Sequence, residues 1–177
     1  MENLKNKQDR IYLTGFMGTG KSTAGAYLSR VTSRRVIDTD SLIEKETGMS
    51  IAEIFKLHDE AYFRKLERSV LTSTFQLQNV IIATGGGLPC YKDNMKLINA
   101  NGISVCLMAR PDVIISRLSF EKNIRPLLMG EDRIDKLNLL MQKRVYYYIS
   151  ADILVDTSDK SIDEIVKYIC AEAGIKK

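Results

Sequence analysis

The clearest chemistry in the chain lies in the eight residues Gly15-Phe16-Met17-Gly18-Thr19-Gly20-Lys21-Ser22. They fit the pattern GxxxxGK[ST], in which glycines let successive backbone N–H groups turn inward on phosphate oxygens. Lys21 then supplies a mobile cation for the β and γ phosphates, and the Ser22 hydroxyl suits a Mg2+ ion that bridges them. Gly15, Gly18, Thr19, Gly20, Lys21, Ser22 and the following Thr23 are therefore assigned to ATP, with Lys21 also catalytic. The alternative, a glycine-rich turn that binds nothing, is disfavoured by the strand-like Ile11-Tyr12-Leu13 before the motif and the helical sequence after it.

Two carboxylates come next, one residue apart. Arg35-Val36-Ile37 leads into Asp38-Thr39-Asp40, at the carboxyl end of an expected strand, where open α/β sheets hold their ligands. Asp38 suits the water shell of the Mg2+ ion, and Asp40 suits an acceptor hydroxyl whose proton it could take. Asp40 or Ser41 could also be the N-cap of the next helix, a role compatible with the first. Thr84-Gly85-Gly86-Gly87 closes another apolar run. Three glycines carry an entropic cost, which favours close backbone approach to a ligand over a merely flexible turn.

Several arginines could meet anions. Arg64 and Glu67 stand three apart beside the apolar stripe Phe63, Leu66 and Val70. Spacing alone favours a solvent-exposed pair worth about 0.3–0.5 kcal/mol, against a reading in which Glu67 orients Arg64 toward an anionic acceptor. Arg144 follows Ile134, Leu137 and Met141 on a stripe expected to face the interior, with Tyr148 beyond it. Its guanidinium must reach out of the helix end or meet an anion in a cleft, and periodicity does not choose. Arg125 lies in Arg125-Pro126-Leu127-Leu128, inside the irregular stretch Ser119 to Gly130. As a loop closes, it could neutralise charge on a transferring phosphoryl group, while Arg117 could stack on adenine; either could instead be solvated. His58 has no neighbours that suggest a metal site or a triad and reads as structural or exposed. Tyr146, Tyr147 and Tyr148 read as packing.

Placing these residues together requires strands that end at them. Short β-branched runs at Arg10 to Thr14, Arg35 to Asp38, Val80 to Ala83, Ile103 to Leu107 and Ile153 to Val155 alternate with stretches of helical period. That is the pattern of a parallel sheet covered on both faces. Helices are expected to start near Lys21, Ser41, Ile51, Asp59, Tyr91, Pro111, Asp132 and Ser161. The expected fold class is α/β, a three-layer α/β/α sandwich on five strands, and the length fits one domain, 1–177.

Taken together, GFMGTGKST, DTD, the FRKLE segment, TGGG, the RPLL loop and KRVYYYISAD resemble shikimate kinase from Ile11 to about Asp156. The order and spacing of the whole set carry the resemblance, because the glycine motif alone is shared by many unrelated nucleotide-binding proteins. It implies a P-loop fold like that of nucleoside monophosphate kinases, with a parallel sheet in order 2-3-1-4-5. An acceptor-binding region at about 38–67 and an ATP lid at about 119–130 are implied as well. It further implies that Asp40 binds shikimate hydroxyls and acts as base, that Asp38 supports one Mg2+ ion, and that Arg64 and Arg144 clamp the shikimate carboxylate. Glu67 would orient Arg64, the backbone of Gly85, Gly86 and Gly87 would contact the acceptor, and Arg125 would swing in with the lid as a catalytic group. Many members carry an adenine-stacking arginine seven residues before the lid arginine. This chain has Leu118 there, and the neighbouring Arg117 takes the adenine assignment. The implied reaction is ATP plus shikimate to ADP plus 3-phosphoshikimate, on the way to chorismate and the aromatic amino acids, by a monomer.

Composition excludes other classes. Lys and Arg total 26 against 22 Asp and Glu, and a formal charge of +4 is too mild for a nucleic-acid partner without clustering. Hydrophobic residues at 45% and charged residues at 27% match soluble globular chains. The polar stretch from Met1 to Arg10 lacks a signal-peptide core and no run of about 18 apolar residues occurs, so a cytoplasmic protein without a membrane partner is expected. Three cysteines without CxxC spacing suggest reduced thiols, with Cys106 a small buried hydrophobe. A gluconate kinase would share the phosphate cradle and lid but not the acceptor residues. A nucleotide switch would call for a guanine-reading NKxD segment, which the sequence lacks.

Overall fold

The computed structural model describes residues 7–119 and 133–175. In chain order its elements are β1 (Arg10–Thr14), α1 (Lys21–Thr32), β2 (Arg35–Asp38), α2 (Thr39–Thr47), α3 (Ile51–Leu57), α4 (Glu60–Ser73), β3 (Val80–Ala83), α5 (Asn94–Asn101), β4 (Ile103–Met108), α6 (Pro111–Ser119), α7 (Arg133–Tyr148), β5 (Ile153–Asp156) and α8 (Ile162–Glu172). Short 3-10 turns at Thr74–Gln76 and Leu88–Cys90 flank β3.

The five strands form one parallel sheet in the order β2-β3-β1-β4-β5, as expected. β1 lies at the centre, with Ile11 beside Ile81 on one side and Ile103 on the other. Ile11, Tyr12 and Leu13 are all fully buried, which explains an apolar run without alternation. On one face Ile11, Leu13, Ile81, Val105 and Leu107 pack against Leu28 of α1 and Ile165 and Ile169 of α8. On the other, Tyr12 and Ile82 meet Leu71 of α4 and Ile98 of α5, while Cys106 meets Ile114 of α6 and Leu137 and Tyr148 of α7. A smaller core joins Ile43, Ile54, Phe63 and Val70 of α2, α3 and α4. A fully buried Leu or Ile side chain contributes about 1.5–3 kcal/mol relative to exposure, so these layers dominate over surface ion pairs in holding the sheet. At the amino-terminal edge of the sheet, Gln8 Nε2 donates to the Ala173 carbonyl at the end of α8 (3.3 Å), and Asp9 accepts from Val80 N (2.9 Å).

Local chemistry moves some boundaries from their expected places. α2 begins at Thr39, not near Ser41, because Asp38 is its N-cap, not Asp40 or Ser41: Asp38 Oδ1 accepts from the N–H groups of Asp40 (2.9 Å) and Ser41 (3.2 Å). No helix starts at Tyr91. Leu88-Pro89-Cys90 tighten into a 3-10 turn, Lys92 adopts φ 50°, and the helix waits until Asn94. The expected start at Asp132 lies outside the described residues. On α7, Leu137 and Tyr148 are buried as expected, but Ile134 is 48% exposed and Tyr146 80% exposed. Two positions on a helix differ by about 200°, so burying Tyr148 turns Tyr146 to solvent. His58 is exposed and stacks on Tyr62 (4.1 Å between centroids). The three cysteines are free, and burial pushes the Cys106 thiol up to about 12.

Candidate active site

β1 ends at Thr14 and its chain turns through Gly15–Gly20 into α1, so the loop sits at the carboxyl edge of the central strand. Gly15, Gly18 and Gly20 adopt φ of 126°, 73° and 91°, and a Cβ at Gly15 would collide with the Leu107 carbonyl. Gly20 is the N-cap of α1 and gives no side-chain cap, which leaves the first N–H groups and the positive end of the helix to an anion. Lys21 Nζ folds back over the loop and donates to the carbonyls of Gly15 (2.9 Å) and Phe16 (2.8 Å). Thr19 Oγ1 closes the loop on Phe16 O (2.8 Å).

A cavity of about 390 Å³ opens on this loop and brings together Lys21, Ser22, Thr23, Asp38, Asp40, Gly85, Gly86 and Arg117. Arg117 is held at the rim: Nη1 donates to Thr157 Oγ1 (3.0 Å) and Gly18 O (3.4 Å), and Nη2 to Thr157 O (2.7 Å). The buried Thr157 hydroxyl also lies 3.0 Å from Met108 O and 3.2 Å from Thr19 O, tying the end of β5 to the phosphate loop. Thr157 and Lys160 line the same cavity and were missed in the sequence. The available signal was a polar residue directly after a strand at the ligand edge of the sheet.

The triple glycine after β3 closes the other side. Thr39 Oγ1, fully buried, accepts from Gly85 N (2.9 Å), so the start of α2 is bonded to this loop. A Cβ at Gly85 would come within 2.5 Å of Asp40 Oδ1, and one at Gly87 would collide with the Arg64 guanidinium. At Gly86 a Cβ would stand 3.7 Å from Arg144 Nη1, and Arg144 also lies over the Phe16 ring at 5.7 Å. Two guanidiniums thus pack on consecutive glycines.

Arg64 and Glu67 are not the solvent-exposed pair that spacing favoured. Glu67 has 1% side-chain exposure and accepts from Arg64 Nη1 at 2.6 Å, while Glu60 accepts from Arg64 Nη2 at 2.8 Å. Glu67 falls four residues after Phe63 and three before Val70, inside the buried stripe, and that position is what the spacing argument overlooked. Burial, opposed by Arg64 and reinforced by Asp40, pushes the Glu67 carboxyl up to about 7, with Arg144 also holding it down. Glu67, Arg64, Asp40 and Arg144 therefore form one electrostatic cluster. Of the predicted site residues, Arg125 lies outside the described residues, as does most of the expected lid.

A glycine cradle at the carboxyl edge of a 2-3-1-4-5 parallel sheet defines the class, a P-loop kinase of the nucleoside monophosphate kinase type. Residues 17–173 match the model of the family described as shikimate kinase. A shikimate kinase from Caldanaerobacter subterraneus subsp. tengcongensis is 44% identical over 159 residues, which is 90% of this chain and 92% of that protein. The structure of a shikimate kinase from Bacteroides thetaiotaomicron superposes with a TM-score of 0.85 at 35% identity, covering 92% of this chain and 97% of that one. A shikimate kinase from Acinetobacter baumannii, solved in complex with shikimate, gives 0.85 at 32% identity over 93% and 92%. The chain belongs to the shikimate kinase family. A gluconokinase from Sinorhizobium meliloti, at a TM-score of 0.62 and 13% identity over 96% of this chain and 93% of that one, shares the fold alone.

Proposed function

We propose that this chain transfers the γ-phosphoryl group of ATP to the 3-hydroxyl of shikimate, giving ADP and 3-phosphoshikimate on the route to chorismate and the aromatic amino acids. The observation that carries the reading is the buried Arg64–Glu67 pair packed on Gly87, with Arg144 on Gly86 and Asp40 against Gly85. An acceptor with a carboxylate at one end and hydroxyls at the other matches this set. Arg64 and Arg144 take the carboxylate in charge-assisted hydrogen bonds, and Glu67 keeps Arg64 aimed. Asp40 accepts the hydroxyl proton as its oxygen attacks phosphorus. The shikimate complex of the Acinetobacter baumannii relative supports the same acceptor here.

On the donor side, Lys21 and the loop N–H groups stabilise charge on the transferring phosphoryl group, and Arg117 borders adenine. Arg125, in an ATP lid at about 119–130, completes this set by resemblance. Ser22 and Asp38 fit one Mg2+ ion: both border the cavity and both offer hard oxygen donors. Among the described residues no group of three or more His, Cys, Asp and Glu could hold a metal ion. Asp38 Oδ1 is engaged in capping α2, and its other oxygen would be the one left for the ion's water shell. When bound, the ion offsets phosphate charge.

The reading takes the chain as one domain working as a monomer in the cytosol, without a nucleic-acid partner. No helix of the described residues is long and apolar enough to cross a membrane. The test is coupled ADP release with Mg-ATP and shikimate, gluconate, nucleoside monophosphates or no acceptor. Release with shikimate alone is expected; release that ignores the acceptor would overturn the reading.

A further inference from the structure

Tyr148 has 5% exposure and its hydroxyl donates to the Gly86 carbonyl at 2.6 Å. A phenylalanine would fill the same space among Phe16, Cys106 and Leu137 without the cost of burying a hydroxyl, so packing alone does not explain a tyrosine. Burial also raises the phenol above its ordinary range, which keeps the proton on and the group a donor. Tyr148 lies one helical turn after Arg144 on α7, and Arg144 packs on the same glycine.

The geometry points to Tyr148 as a positioning residue for the acceptor, acting through the Gly86–Gly87 peptide. In a planar trans peptide the C=O and the following N–H point in opposite directions, and no cis bond occurs among the described residues. By holding the Gly86 carbonyl, Tyr148 turns the Gly87 N–H away from α7 and fixes the distance between that glycine and Arg144. Thr39 holds the loop at Gly85 N and Asn94 Nδ2 holds it at Leu88 O (2.8 Å); between them Cys90 Sγ also reaches the Gly86 carbonyl at 3.8 Å, and Tyr148 makes the shorter bond to it. This inference rests on the proposed acceptor site, in which the glycine backbone and Arg144 meet shikimate.

Tyr148→Phe tests it in the full chain. The KM for shikimate is expected to rise about tenfold while the KM for ATP stays within about twofold, because Gly86 meets the phosphate loop by backbone packing alone, a Cβ there standing 3.5 Å from Gly15 O and 3.6 Å from Met17 N, whereas the side-chain hydrogen bonds that close that loop come from Thr19 and Lys21. A shikimate KM equal to that of the unaltered chain, or equal losses for both substrates, would overturn the inference. If Tyr148→Phe does not fold, 3-fluorotyrosine at position 148 keeps ring and hydroxyl while changing the strength of the hydrogen bond. A change of twofold or more in shikimate KM alone is then expected, and no change would refute the role. The unaltered chain in the same assay separates the two levels: failure to use shikimate at all removes the acceptor reading itself.

Discussion

Glu67 is a carboxylate with almost no exposed surface, and its titration gives a residue-scale test. Its value in the fold, about 7, lies above the ordinary 4.5, so its contribution to stability is full below about pH 4.5 and is lost as pH rises through about 7. Glu67→Gln has no such titration. The melting temperature of the unaltered chain minus that of the variant should fall across this window, and a flat difference would mean that Glu67 titrates like a surface carboxylate. Asp40→Asn is expected to lower kcat by about 10²–10⁴-fold with little change in ATP binding, because the proposed loss is a proton acceptor at the acceptor end of the site. Full kcat in that variant would rule Asp40 out as base. With Arg144 on the acceptor carboxylate as proposed, Arg144→Ala should raise shikimate KM much more than it lowers kcat, in the same steady-state assay.

At the scale of elements, Thr157 joins the end of β5 to the phosphate loop and to Arg117. Thr157→Val keeps the volume and removes the hydroxyl, so ATP KM should rise about fivefold, the worth of about one buried hydrogen bond, with shikimate KM unchanged. Equal effects on both substrates would mean a general loss of fold. The strands were legible because burial on both faces leaves an unbroken apolar run, and the phosphate loop because it must have glycines at fixed positions. Other features depend on contacts distant in sequence. The packing of Arg64 against the Gly87 backbone joins two separate elements, and the hydroxyl of Tyr148 reaches a loop 62 residues away. The triplet Asp38-Thr39-Asp40 hid three tasks in one motif: a helix cap, a bond to Gly85 and a wall of the cavity.

For the whole molecule, binding of shikimate should raise stability by mass action, by about 2.7 kcal/mol at one hundred times its Kd. In a chain of this size that corresponds to roughly 5–10 °C in Tm, readable by thermal shift. Arg144→Ala should lose most of the shikimate shift while keeping the ATP shift; loss of both would point to a damaged fold instead.

The cavity occupies the carboxyl edge of the sheet, whereas Gln8 and Ala173 touch at the opposite edge. The Gln8–Ala173 contact therefore lies away from the phosphate loop. A short linker across Gln8 and Gly174, with the chain reopened at exposed Gln78 just before β3, would yield a circular permutant whose strands keep their neighbours. Its phosphate loop, its glycine anchors and its arginines would meet as before, arranged in a different order along the gene.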